Sequence, residues 1–161
     1  MDALQHEKDH SVAIVASSIL DAGLETLIRE KIKVQRPKVL EQFFAERGVI
    51  SDFYSRIVVA QAFGIITTPI ADELHAIRAV RNVFAHAKIS VSFDSKEIAN
   101  EVKSTDMVAL LTTLKDGPKI ELSNKAWFLL AVRIMLIVFK ILKDSNKTAY
   151  DAIGEVLQNR K

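Results

Sequence analysis

Residues 69–87 read P-I-A-D-E-L-H-A-I-R-A-V-R-N-V-F-A-H-A, and their periodicity sets the fold class. Thr68 offers a hydroxyl cap and Pro69 suits the first helical position, so a helix is predicted from here. At 100° per residue, Ile70, Leu74, Ile77, Val80 and Phe84 fall on one apolar arc. Arg81 and Glu73 lie inside that arc, whereas His75, Arg78, Asn82 and His86 line the opposite face. An arginine keeps its charge, so placing Arg81 among core residues demands an acid or several carbonyls. Glu25 on the preceding long helix is the expected acid.

Arg78, Arg81, Asn82 and His86 therefore form the candidate polar site. The commoner use of such residues is architectural: arginines tie helices together, and a histidine in a last turn faces open carbonyls.

The same periodicity recurs on both sides. Residues 9–33 read as a long helix with Val12, Val15, Ile19, Ala22 and Thr26 on one face and Leu20, Leu24 and Leu27 on another. Pro37 opens a shorter helix ending near Gly48, and Ser51 or Asp52 caps the next, which Gly64 ends. Short helices are expected over 95–103 and 106–115, a long one over 124–143 behind Ser123, and a last one over 148–159. The alternation of Ile89, Val91 and Phe93 suggests a strand, paired with residues 119–122. The expectation is a single all-α domain over 1–161, a bundle of six or seven helices with one small β ribbon.

Composition agrees. Of 161 residues, 49% are hydrophobic and 26% charged, as in a globular domain. Five glycines and three prolines leave long helices uninterrupted. The absence of cysteine excludes disulfides, thiol catalysis and thiolate metal sites. The polar start MDALQHEKDH is unlike a signal peptide, and the apolar run 126–139 carries Arg133 and falls short of the ~20 residues of a membrane span. A cytoplasmic protein without membrane contact is expected.

Chemistry-bearing motifs are sparse. His75 and His86 stand roughly 16 Å apart along one helix, too far for one ion. His6 and His10 have ligand spacing but sit in a polar terminal segment. There is no phosphate-cradling glycine loop, dinucleotide fingerprint or nucleophile elbow. Neither metal nor cofactor is expected, and a classical enzyme is not.

A net charge of +2 argues against DNA as the main partner. The best nucleic-acid patch is Arg29, Lys31, Lys33, Arg36 and Lys38, although positive charge also suits a helix end. No helix-turn-helix stands out. In the helix 124–143, Trp127, Leu130, Ile134, Ile137 and Ile141 make one apolar stripe; Phe128, Leu129, Val132 and Leu136 make another. Such a helix is central in the bundle or forms a homo-oligomer interface.

The blocks SSILDAGLETLI, FYSRIVVAQAFGIIT, LHAIRAVRNVFAH and SFDSKEIANEV occur in that order within residues 11–110. In this the chain resembles the mannitol operon repressor family of bacteria. The resemblance implies an all-α fold and negative regulation of an operon for sugar-alcohol uptake. With no DNA-reading motif in view, a protein partner is the expected route. More widely, Arg81-Asn82-Val83-Phe84-Ala85-His86 is similar to the arginine–polar–histidine pattern of HEPN helical domains, many of them metal-independent ribonucleases. That resemblance implies His86 as acid or base, Arg81 as the stabiliser of the phosphorane and Asn82 as their orienter. Arg81 and His86 are about 140° apart around a helix, so joint action needs a helix end between them or a second copy.

Overall fold

The computed structural model describes residues 8–32, 36–87, 91–103 and 122–144. Six helices occur among them: α1 (Asp9–Lys31), α2 (Pro37–Phe44), α3 (Phe53–Ala62), α4 (Thr68–His86), α5 (Lys96–Lys103) and α6 (Asn124–Asp144). The fold is an all-α bundle. The helices expected over 106–115 and 148–159 lie outside the described residues.

Each helix begins where local chemistry permits. Asp52 caps α3 through a reciprocal pair: its Oδ1 accepts from the Ser55 amide at 3.1 Å, and the Ser55 Oγ accepts from the Asp52 amide at 3.3 Å. The Ser123 Oγ accepts the Ala126 amide ahead of α6 at 3.3 Å. In α4 the cap is one residue earlier than expected. Thr67 is the N-cap, and Thr68 and Pro69 are the first two helical residues. The Thr68 hydroxyl instead accepts from Gln61 Nε2 at 3.2 Å. Gly64, at φ +67°, turns the chain between α3 and α4, a conformation that suits glycine. The α2 helix ends at Phe44 rather than near Gly48, and Gly48 passes so close to the Gln42 and Phe43 carbonyls that a Cβ would collide.

At the centre lies α1, packed against α3, α4 and α6. It is long and apolar enough to cross a membrane by length and composition, yet it buries Val12, Ala16, Leu20, Leu24, Leu27 and Ile28 inside the bundle. The α4 helix buries Ile70, Leu74, Ile77, Val80 and Phe84, the expected arc, with Glu73 among them. In α6, Phe128, Leu129 and Val132 of one stripe are buried, whereas the Trp127 stripe is half-buried and its Ile137 is 54% exposed. Both faces of α6 are apolar, and the described residues bury the Phe128 face more deeply than the Trp127 face.

No strand occurs among the described residues, and 88–90 and 119–121, which carry most of the expected ribbon, lie outside them. Phe93 turns inward and stacks between Phe84 and Phe128, at centroid distances of 4.9 and 5.2 Å. Its backbone is satisfied by side chains. The amide donates to Asp9 Oδ2 at 3.0 Å, and the carbonyl accepts from Asn124 Nδ2 at 3.1 Å. Lys125 Nζ pairs with the other Asp9 oxygen at 3.3 Å.

Candidate functional site

An arginine that must be buried does exist in this bundle, but it is Arg56, not Arg81. Arg56 is 8% exposed and lies on α3 beside the buried Ile57 and Ala60. Its guanidinium pairs with Asp21 and with Glu25, the latter at 2.8 Å, and donates to the carbonyls of Ile50 and Ser51 at 3.2 and 3.3 Å. These partners meet the condition for burying a permanent charge. Glu25 also accepts from Arg29 at 2.8 Å, so the acid expected for Arg81 is already committed to two other arginines.

Arg81 is exposed, and its Nη1 donates to Asn82 Oδ1 at 3.1 Å. The helical wheel put it in the core because a wheel takes no account of where a neighbouring helix stops. With 10 residues, α3 is about 15 Å long, whereas α4 has 19 and is about 28 Å long. Tyr54, in the first turn of α3, sits level with His75 and Arg78: its ring centroid is 5.5 Å from the His75 ring and 4.9 Å from the Arg78 guanidinium carbon. Beyond that level α3 no longer covers α4, and Arg81 faces open space.

That space is a cleft of about 380 Å³. One wall is α1, with Ser17, Ser18 and Asp21; a second is the entry to α3, with Ser51, Asp52, Phe53 and Tyr54; the third is α4, with Arg78, Arg81 and Asn82. The structure thus brings three of the four candidate polar residues together. His86 is exposed in the last turn of α4 and does not line the cleft.

The electrostatics of the lining are uneven. Asp21 is engaged by Arg56, and Asp52 caps α3. Among the described residues neither Arg78 nor Arg81 has a carboxylate within ion-pair distance. Arg78 stacks over Tyr54, a cation–π arrangement that steadies it without neutralising it. Next to it, His75 has its pKa held below the ordinary histidine value by burial first and by the Arg78 charge second. Ser17 is 2% exposed, and its Oγ has no hydrogen-bond partner among the described residues.

The basic patch is differently built. Arg29 is held between Glu25 and Glu41, at 2.8 and 2.9 Å, with its guanidinium carbon 4.0 Å over the Phe44 ring. It anchors α2 to α1. Arg36 and Lys38 are exposed, Lys31 is half-buried, and Lys33 lies outside the described residues. Among the described residues no group of three histidine or acidic side chains is placed to hold a metal ion.

The sequence reading missed Arg56 and the α1 wall. Their signal is a polar row, Ser17, Asp21 and Glu25, at four-residue spacing along the edge of an apolar arc. Such a row needs a cationic neighbour, and Arg56 supplies it. No protein-family model, curated protein or solved structure matches this chain.

Proposed function

We propose that the protein is a cytoplasmic regulator that represses a sugar-alcohol uptake operon through a protein partner, as its resemblance to mannitol operon repressors suggests. The observation that carries a binding role over a catalytic one is the separation of Arg81 from His86. One lines the cleft and the other does not, and both cleft carboxylates are already committed. Arg29, the first cation of the basic patch, is held by two acids, which weakens a direct phosphate-tracking role on DNA. Tyr54 and Val58 on α3, Phe63 just past its end, and Val15 and Ile19 on α1 are exposed apolar residues that a protein partner would cover.

The test is affinity capture of the tagged chain from its host's lysate, with and without nuclease, alongside an operon reporter in a deletion strain. A specific protein retained after nuclease, with derepression on deletion, is expected. Retention of nucleic acid alone, or an unchanged reporter, overturns the reading.

One observation favours a second reading as an RNA-binding or RNA-cleaving HEPN-like domain: Arg81 is exposed, held by Asn82 and unneutralised, as a phosphate contact would be. Cleavage of single-stranded RNA abolished by His86→Ala would establish that alternative.

A further inference from the structure

We propose that the cleft between α1, the entry to α3 and α4 binds a small phosphate monoester, its phosphate gripped by Arg78 and Arg81. The inference stands apart from which process the protein regulates. It begins with charge. Arg78 and Arg81 are three residues apart on α4, about 60° around the helix, so their Cβ atoms are about 5–6 Å apart and both side chains reach the same cleft. Both line the cleft, and among the described residues neither is paired with an acid. Each is oriented by a neutral neighbour, Arg78 by the Tyr54 ring and Arg81 by Asn82 Oδ1. Two oriented and uncompensated guanidinium groups suit a doubly charged oxyanion, which they bind through paired N–H···O bonds.

The two acids of the lining are engaged away from these arginines: Asp21 pairs with Arg56, which it shares with Glu25, and the Asp52 carboxylate accepts from the Ser55 amide at the positive end of α3. The remaining lining is hydroxylic. Ser18 and Ser51 supply hydroxyl groups, while the Ser17 Oγ is shut off from solvent. The volume, about 380 Å³, is at the small end of ligand sites and exceeds what a phosphate ion alone fills. A phosphate with a short hydroxylated body fits charge, hydroxyl lining and size together.

The experiment is a titration of the full chain by NMR and calorimetry with inorganic phosphate, glucose 6-phosphate, glucose and a single-stranded RNA oligonucleotide. The expected result is saturable binding of glucose 6-phosphate, tighter than inorganic phosphate, with no binding of glucose. Arg78→Gln and Arg81→Gln should each weaken it at least tenfold while melting as the parent does. Lys140→Gln, an exposed charge on α6, should change nothing. Failure of both phosphate and glucose 6-phosphate to saturate overturns the proposal. So does an ester that binds no tighter than inorganic phosphate, or binding that survives both arginine substitutions. RNA that binds more tightly than the ester through the same arginines overturns it in favour of a polymer site.

Discussion

At the scale of single residues, Arg56 fills the buried role that the sequence setting of Arg81 suggests, and Arg81 is exposed. Arg56→Ala leaves Asp21 and Glu25 facing each other without their shared cation. Chemical denaturation should show a loss of about 2–3 kcal/mol, less than the ~3–5 of a fully buried pair because both acids retain some water contact. Arg81→Ala should change stability by no more than about 0.5 kcal/mol, since it removes an exposed side chain. Phe84, locked against Phe93 in the core, should cost about 3–5 kcal/mol on replacement by alanine. His75 provides a pH test. The unfolded chain binds its proton near the ordinary value of about 6.5, whereas the folded chain binds it only at lower pH. Its contribution is therefore complete above about pH 6.5 and fades as pH falls through the lower folded value. A melting series from pH 7.5 to 5 should show a shallower decline for His75→Gln than for the parent.

At the scale of elements, the caps decide where surfaces open. The reciprocal Asp52–Ser55 pair starts α3 at Phe53, and that starting point leaves the last turns of α4 beyond the reach of α3. Asp52→Ala should lower stability by about 1 kcal/mol in urea titration, the usual worth of such a cap. The helices themselves were legible. Ile70, Leu74, Ile77, Val80 and Phe84 announce α4 by spacing alone, and Ser123 and Asp52 announce two starts. Of the candidate polar residues, Arg78, Arg81 and Asn82 line one cleft, although the wheel sets Arg81 in the apolar arc and the other two across from it. What was not legible depends on the relative lengths of neighbouring helices. Burial of Arg81 turns on where α3 starts, and no spacing within α4 contains that information. Phe93 misled for a related reason. Alternation of Val91 and Phe93 looks like a strand, but the Phe93 amide and carbonyl are satisfied by Asp9 and Asn124 rather than by a neighbouring strand.

At the scale of the whole molecule, α1 organises everything else. One side carries Ser17, Asp21 and Glu25 toward the cleft and Arg56; another meets α6, where Gly23 allows Phe139 to come close. The α1 wall of the cleft thus belongs to the same helix that carries the core.

The carboxylate of Asp9 has a further consequence. Its two oxygens hold the Phe93 amide and the Lys125 ammonium, so the first turn of α1, the segment ahead of α5 and the first turn of α6 meet at one group. The Phe93 proton sits outside any helix, where fraying would ordinarily make exchange with solvent fast. Here it is held in a part-buried bond that ties the first turn of α1 to the segment ahead of α5. Hydrogen–deuterium exchange at this one amide should thus be slower than at the other amides outside the helices. Asp9→Asn should speed it, making a lone loop proton a clock for the parting of those two stretches.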